Sequence, residues 1–299
     1  MKPFPVPVVP VGPGSQPEDE DTLDYMVMPQ GMETYRPPVL PEREVMAAQS
    51  GAQGALRDVL VALSRALGGL PAQPVPLAPL SEADRVLINQ VMGEGEVSVR
   101  VQGEGGELLI QESVFAGVWR VLRRVADTQN GGWTVVTDQI EVGRMPLGVM
   151  EAAGHAAVPA ARRRVLKEPG LSGNWPAGVM NAPSVLNELE DRVQAWRPGA
   201  AAHVINLTLL PLSPEDVAAI DASLGQGPVL ILSRGYGNCR ITLTEVPMCW
   251  RVSYYNSQDA MILDTLEVTD MPEVACAASE DLMDSQERLA DLLQWVAGD

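Results

Sequence analysis

Cys239, Cys249 and Cys276 are the side chains in this sequence with the widest chemical range, because thiolates bind iron and zinc and exchange disulfides. Cys239 and Cys249 lie on strands predicted to be neighbours, and Cys276 begins the predicted final helix. The three thiolates could hold a metal ion if the fold brings them together. The alternative is that Cys249 and Cys276 are small apolar core residues. We expect Cys239, beside a turn, to be the reachable thiol.

A glycine-rich stretch, SRGYGNC at 233–239, contains the first cysteine and follows an apolar run. Such a loop can cradle a phosphate, but a phosphate loop leads into a helix N-terminus and usually carries a lysine. Here the strand-like segment CRITLT follows. We therefore predict a tight turn whose glycines take positive φ. Its tip would be polar, aromatic and thiol-bearing, with Arg234, Tyr236, Asn238 and Cys239.

The segment YYNSQD at 254–259 is rich in turn-forming residues and follows a predicted strand. One interpretation is a simple hairpin connection. The other joins it to the tip at 234–239 as a single recognition edge. Alternate turns of a meander are expected at opposite ends unless the sheet curls, so this edge depends on curvature. Its further members would be Tyr255, Asn256, Gln258 and Asp259.

Nucleophilic and acid–base catalysis find little support in this sequence. His155 and His203 are its only histidines, and it contains neither a GxSxG motif nor a Cys–His pair at a known spacing. The basic cluster ARRRVLKE at 161–168 is interpreted as a helix end or a charge-paired patch rather than a specific anion site. We predict a protein that is not an enzyme and has no resident cofactor or metal.

An internal repeat positions these segments. Residues 80–101, LSEADRVLINQVMGEGEVSVRV, match residues 212–233, LSPEDVAAIDASLGQGPVLILS, with an offset of 132. Continuing this offset through the glycine turns aligns Cys239 with Glu107. The match resumes at WRV, 119–121 and 250–252, and again downstream with an offset of 126. Two copies of about 90 residues indicate duplication of one supersecondary unit.

Each copy is predicted to contain a short helix capped by Ser81 or Ser213, an antiparallel meander of three to four strands, and a closing helix. The result is an α+β fold with two tandem pseudo-repeats and two pseudo-equivalent sheets. A helix at 43–68 precedes them, and the final helix spans about 272–296. The predicted strands are 96–102, 107–114, 118–125 and 134–142, then 228–233, 238–245, 249–255 and 261–269.

The chain divides into five predicted parts. Their bounds are a disordered tail at 1–24, an extended arm, helix and Pro-rich linker at 25–79, repeat 1 at 80–168, a connector with a helix at 169–204, and repeat 2 at 205–299. Residues 1–41 hold ten of the 25 prolines and an acidic run, a composition that cannot offset the entropy of ordering. The arm, which includes Met32 and Tyr35, is more apolar and is expected to dock on the body or on a partner.

Charge and composition restrict the partners. The net charge of −18 and the pI of about 4.5 argue against nucleic acid and favour basic partners. An odd number of cysteines without a CxxC motif is typical of reduced thiols in the cytoplasm. Closely spaced N-terminal prolines argue against a signal peptide, and no apolar stretch is long enough to predict a membrane span. We expect a cytoplasmic protein that binds neither nucleic acid nor membrane.

Four segments stand out in this sequence: GMETYRPPVLPE at 31–42, and further along the chain PVLILSRGYGNCRIT, VSYYNSQDAMILDTLEV and DMPEVACAASEDLMDSQERL. The first resembles the N-terminal box, and the other three the C-terminal signature, of the HupH/HyaF/HoxQ family of hydrogenase expression or formation proteins. The resemblance covers nearly the whole chain and is strongest over 205–295.

The resemblance implies a cytoplasmic accessory protein that is absent from the finished enzyme. Family members are associated with the small subunit of an uptake NiFe hydrogenase, which carries iron–sulfur clusters and a twin-arginine export signal. They are also associated with a thioredoxin-like partner chaperone, and some with protecting assembly from oxygen. The resemblance supplies no catalytic residues.

Two hypotheses follow. The first is a maturation chaperone that binds the immature small-subunit precursor through the tip of the second copy and the arm at 25–42. The second is a metal- or thiol-redox-active assembly factor that uses Cys239 as a ligand or thiol, with Cys249 beside it.

Overall fold

The computed structural model describes residues 41–103, 106–127, 131–154, 175–235 and 237–298. Several predictions concern other parts of the chain: the tail at 1–24, the arm with Met32 and Tyr35, His155, the basic cluster at 161–168, and Tyr236. These lie outside the described residues and stay predictions.

In the first half of the structure three helices precede the four meander strands, and a fourth helix follows them. Its elements are α1 (Arg43–Ala48), α2 (Ser50–Leu67), β1 (Val75–Pro76), α3 (Glu82–Met92), β2 (Val97–Gly103), β3 (Gly106–Glu112), β4 (Val118–Ala126), β5 (Trp133–Val142) and α4 (Leu147–Gly154).

The second half follows the same order. Its elements are α5 (Ala182–Ala195), β6 (His203–Asn206), a 3₁₀ turn (Leu207–Leu209), α6 (Pro214–Leu224), β7 (Val229–Ser233), β8 (Asn238–Leu243), β9 (Cys249–Tyr255), β10 (Met261–Val268), a second 3₁₀ turn (Glu273–Ala275) and α7 (Ser279–Ala297).

The predicted α+β class and the eight meander strands are confirmed to within a few residues at each end. The helix predicted at 43–68 is interrupted at Gln49, and the final helix begins at Ser279, after a 3₁₀ turn, rather than near residue 272. The predicted N-caps are also confirmed, since the Ser81 and Ser213 hydroxyls accept hydrogen bonds from the Asp84 and Asp216 amides. None of the described helices is long and apolar enough to cross a membrane.

The prediction of two separate sheets is wrong, because β2 pairs with β7 and joins the meanders into one antiparallel sheet. The strand order is β1-β5-β4-β3-β2-β7-β8-β9-β10-β6. In this seam Val99 lies opposite Ile231, and these residues are also equivalent in the repeat. A local pseudo-twofold axis therefore passes through this pair, and the two copies run in opposite directions from it.

The equivalence extends upstream into the segments predicted to be a linker and a connector. β1 pairs with β5 as β6 pairs with β10, and α2 precedes β1 as α5 precedes β6. The buried residues of the two helices correspond at an offset of 130: Ala52, Leu56, Val59 and Leu63 in α2, and Ala182, Leu186, Leu189 and Val193 in α5.

The two faces of the sheet are covered differently. On one face the apolar side chains of all central strands pack beneath α4 and residues 271–277. On the other face α2 and α3 pack over β4 and β5, while α5 and α6 pack over β9 and β10. The centre of that second face, formed by β2, β3, β7 and β8, lies between the two helix pairs. We call it the open face.

A buried aspartate anchors the two covering helices of each copy to one another. The Asp216 carboxylate accepts hydrogen bonds from the backbone N–H groups of Met180, Asn181 and Ala182, at 2.8, 2.8 and 2.9 Å, at the start of α5. It also accepts one from the Ser213 N–H, at 3.1 Å, at the start of α6. One carboxylate therefore caps two helix N-termini, where a negative charge is favourable.

Asp84 has the same role in the first copy. Its carboxylate accepts hydrogen bonds from the Ala52 N–H in α2, at 2.8 Å, and from the Ser81 hydroxyl, at 2.6 Å. The pKa of Asp84 is lowered by these hydrogen bonds. Asp216 is fully buried, and burial alone would raise its pKa, but its backbone N–H donors outweigh that and lower the pKa to about 2.

A second pair of equivalent contacts ties α3 and α6 to the sheet. Arg120 donates to both carboxylate oxygens of Asp138, at 3.0 and 2.8 Å, and to Asn89 of α3. Arg251 donates to both oxygens of Asp264, at 3.1 and 2.8 Å, and to Asp221 of α6. Each bidentate pair fixes the orientation of its arginine, and the remaining contact, with Asn89 or Asp221, ties the helix to the sheet.

Asp216→Ala should lower the free energy of unfolding by roughly 2–3 kcal/mol, because it leaves several buried N–H donors unsatisfied. Chemical denaturation at pH 7 would measure this, with the exposed Asp191→Ala of α5 as a control that changes little. The folded pKa lies below the unfolded value of 3.8. The difference from wild type should therefore be full above about pH 4 and shrink as the pH falls towards 2. A difference unchanged at low pH would contradict this role.

Glu112 occupies a core position where the second copy has an apolar residue. Glu112 pairs with Trp119 as Leu243 pairs with Trp250, and both Glu112 and Leu243 are buried. Burial raises the pKa of Glu112 to about 7, although the Gly117 N–H, which donates to it at 3.0 Å, opposes the shift.

Because its folded pKa exceeds the unfolded value of 4.5, ionisation of Glu112 should destabilise the protein as the pH rises from about 4.5 through 7. Glu112→Gln keeps an acceptor for Gly117 without the charge. Relative to wild type it should gain roughly 1–2 kcal/mol between pH 5 and pH 8, measured by denaturation at both values. An equal effect of the substitution at both pH values would refute a shifted pKa.

Candidate binding surface

The two predicted recognition segments lie at the same end of the sheet. Asn238 pairs with Tyr255, so the turn between β7 and β8 is adjacent to the loop between β9 and β10. The expectation that this arrangement requires a curled sheet is wrong, because a further turn lies between the two and reverses the chain once more. We call residues 234–238 and 255–259 the tip edge.

Within the tip edge the predicted residues differ in their roles. The Asn256 side chain accepts hydrogen bonds from the Gln258 and Ala260 N–H groups, at 2.9 and 3.0 Å, and so holds the loop closed. Asp259 has a φ of 57°, a left-handed conformation that aspartate tolerates better than most residues. Arg234, Gln258 and Asp259 are exposed, so they are the members available for contact.

Cys239 is not the reachable thiol that the sequence predicts. It is 1% exposed and packs in the core beneath α4. The structure aligns Ile110, opposite Val121, with Ile241, opposite Val252, so the offset beyond the glycine turn is 131 rather than 132. Cys239 therefore takes the place of Leu108, not Glu107. A slip of one residue moves a side chain to the other face of a sheet.

The cysteines do not converge. Cys239 lies opposite Tyr254, five residues along β9 from Cys249, which places the two thiols roughly 16 Å apart along the strand direction. They also face opposite sides of the sheet, in different core clusters. Over the described ranges, no group of three or more His, Cys, Asp or Glu residues is arranged to hold a metal ion.

Burial makes the thiols poor nucleophiles. It raises the pKa of Cys239 to about 12, against a hydrogen bond with Tyr254, and it raises the pKa of Cys249 to about 12 as well. Burial also raises the pKa of Cys276, which is half-buried. A redox or ligand role for Cys239 therefore has no geometric support.

A buried carboxylate lies on the open face, beside the first glycine turn. Glu107 is 3% exposed and accepts hydrogen bonds from Arg100, at 2.7 Å, and from Arg124. Arg124 in turn stacks on the exposed Trp133 ring, 4.8 Å from its centroid. Cavities of about 380 and 210 Å³ adjoin at Arg100 and continue along β3 and β4. Sequence reasoning missed this cluster, although Arg100 lies between two valines of β2 and therefore faces away from their side of the sheet.

Two rows of side chains cross the open face, and sequence reasoning also missed them. Cross-strand pairing sets the first row, from β4 to β9, as Arg120, Gln111, Ser98, Leu232, Arg240 and Ser253. It sets the second as Leu122, Leu109, Arg100, Leu230, Thr242 and Arg251. The pseudo-twofold axis relates the rows. The available signal was an arginine or leucine at alternate strand positions, but only the tertiary fold shows that the middle of each row lies between the described helix pairs.

The burial of Cys239 predicts its reactivity. A thiol-specific maleimide at pH 7.5 should label Cys276 first, while Cys239 and Cys249 should be labelled only as fast as the protein unfolds, because thiolate is scarce and access is blocked. Peptide mapping of labelled sites over time would measure the order. Denatured protein, in which all three react, is the control. Rapid labelling of Cys239 in the folded chain would contradict its placement.

Comparison with known proteins supports the duplication, because one conserved region matches this chain twice. The conserved region described as "HupH hydrogenase expression protein, C-terminal conserved region" matches twice, over residues 52–166 and 179–296. Hydrogenase expression/formation protein HoxQ of Cupriavidus necator is 53% identical over 99% of both chains. HupH of Rhodobacter capsulatus is 47% identical over 98% of both chains. Hydrogenase-1 operon protein HyaF of Escherichia coli is 34% identical over 96% of this chain and 95% of its own.

Among solved structures, hydrogenase expression protein HupH from Thiobacillus denitrificans matches 39% of this chain and 96% of its own, with 27% identity and a TM-score of 0.36. The full-length similarity to the curated proteins and the double match confirm the resemblance inferred from the signature segments. The chain belongs to the HupH family of hydrogenase expression proteins.

Proposed function

We propose that this chain is a non-catalytic accessory protein of hydrogenase maturation that binds the immature iron–sulfur small subunit in the cytoplasm before twin-arginine export. The observation that carries the proposal is its near-full-length similarity to proteins named for hydrogenase expression or formation. A thioredoxin-like chaperone is the expected second partner. No metal or cofactor of its own is needed for this role.

The tip edge is the proposed contact surface in the second copy. Its exposed side chains, Arg234, Gln258 and Asp259, stand on turns held by backbone and Asn256 hydrogen bonds. Because the backbone of these turns is already ordered, binding costs mainly side-chain entropy. The tip residue Tyr236 and the arm residues Met32 and Tyr35 extend this proposal beyond the described part of the chain.

Electrostatics supports a basic client. The protein carries a net charge of −18, and α7 presents a run of exposed carboxylates on its outer side. A twin-arginine signal begins with basic residues, so long-range attraction would speed its encounter with this surface. The carboxylates are Glu280, Asp281, Asp284, Glu287 and Asp291.

Binding of a small-subunit precursor to the purified full-length chain should depend on its export signal and on salt. The affinity for the signal-bearing precursor should fall several-fold as the salt concentration rises from 50 to 500 mM, because exposed charges are screened. The precursor without its signal should respond less. Calorimetry or surface plasmon resonance would measure both. Salt-independent binding of the signal-bearing form would argue against electrostatic capture.

The tip edge can be tested separately with Asp259→Asn, which removes one charge while asparagine retains the left-handed conformation. We expect the affinity for the signal-bearing precursor to fall about two- to fivefold, the usual effect of one exposed charge pair. The matched control is Asp191→Asn on the exposed side of α5, which should leave the affinity unchanged. Equal effects of the two variants would move the contact away from the tip edge.

A further inference from the structure

The open face combines apolar and cationic side chains in a protein that is otherwise strongly acidic. Four leucines, Leu109, Leu122, Leu230 and Leu232, remain partly exposed in the centre of the sheet. Between and beside them lie Arg100, Arg120, Arg240 and Arg251. A surface of this composition favours a ligand that presents carboxylates close to large apolar side chains.

The arginines are held in place by neighbouring groups. Arg100 is paired with Glu107, Arg120 with Asp138, and Arg251 with Asp264. Arg240, which β8 contributes to the first row, has no hydrogen-bond or ion-pair partner within the described ranges. A ligand carboxylate at this position would therefore gain a charge-assisted hydrogen bond without displacing an existing one.

The open face is wide enough for a peptide segment. Strands β4 and β9, which flank the open face and carry Arg120 and Arg251, are separated by five strand spacings, or about 24 Å. An extended chain or a single helix, about 10 Å across, fits between the helix pairs. A globular domain would instead meet α3 and α6, which rise on either side.

The chain itself contains a segment with the required chemistry. Residues 18–28, EDEDTLDYMVM, place four consecutive carboxylates and a fifth, Asp24, directly before Tyr25, Met26, Val27 and Met28. The described chain begins at residue 41, just before α1, which contacts α2 and α7 and buries Met46 in the core cluster on the open-face side of the sheet. The 12 residues between Met28 and residue 41 can span about 40 Å when extended, which exceeds the roughly 24 Å that separate β4 from β9.

We propose that residues 18–28 bind the open face of their own chain, with the carboxylates at the arginines and the apolar residues on the leucines. The site is distinct from the tip edge, and the proposal does not rest on the chaperone function. A binding partner that uses the open face would first have to displace this segment.

Disulfide trapping in the full chain tests the proposal. Thr22→Cys is combined with Ser98→Cys on the open face, in a Cys276→Ser background that removes the half-buried native thiol. The control combines Thr22→Cys with Val61→Cys, on the exposed side of α2. Residue 61 is nearer to residue 22 in sequence than residue 98 is, so a freely moving segment would favour the control pair.

Under a mild oxidant, the Thr22→Cys/Ser98→Cys chain should form an intramolecular cross-link at least about tenfold faster than the control. The reason is that binding of residues 18–28 to the open face raises the effective concentration of Cys at position 22 near position 98. Adding Arg240→Glu should slow the cross-linking roughly tenfold, because the segment loses one charge-assisted hydrogen bond to the open face. If Arg240→Glu perturbs folding, amide substitution of residues 18–21 (Glu18→Gln, Asp19→Asn, Glu20→Gln, Asp21→Asn) leaves the body unchanged and should have the same effect.

Equal rates for the two cysteine pairs would overturn the proposal. A cross-linking rate that neither Arg240→Glu nor the amide substitutions change would also overturn it. A cross-link formed only between chains would overturn it too, because a second copy would then supply the segment. Because no hydrogenase subunit is present in this experiment, its failure would leave the proposed function untouched.

Discussion

One buried carboxylate in each copy holds the architecture together. Asp216 and Asp84 each stand at the start of one helix and accept backbone hydrogen bonds from the start of the preceding helix. Helix N-termini concentrate unsatisfied N–H groups, so a single anion between two of them satisfies both. The arrangement fixes α2 on α3 and α5 on α6. Among the described residues, those two pairs in turn determine which part of the second face is covered and which part lies between them.

The duplication preserves the scaffold, while the side chains on it have diverged. The Arg120–Asp138 and Arg251–Asp264 contacts are equivalent, and each orients an arginine that contacts a helix packed on the sheet. By contrast, Glu112 occupies the position of Leu243, and the buried Glu107 has no acidic counterpart at Asn238. The copies therefore contribute different surfaces: an arginine–carboxylate–tryptophan cluster in the first, and the tip edge in the second.

Local features of the fold could be predicted from the sequence. Alternating apolar residues located every meander strand, and Ser81 and Ser213 located the helix starts, because both signals depend on residues close in sequence. The β2–β7 seam could not be predicted, since any apolar strand can serve as an edge or a centre. Of the candidate sites, the two segments of the tip edge were correctly predicted to lie side by side, and their binding role stays a prediction. Cys239 was misplaced because one residue of turn length decides which face a strand residue occupies.

The seam at Val99 and Ile231 has the geometry of an isologous interface, in which one surface pairs with a copy of itself. A single unit with this strand at its edge would be a homodimer whose sheet runs unbroken across the symmetry axis. Joining two such units in one polypeptide makes assembly independent of protein concentration. It also releases each half from the requirement to mirror the other, so the same backbone can carry different side chains in its two copies.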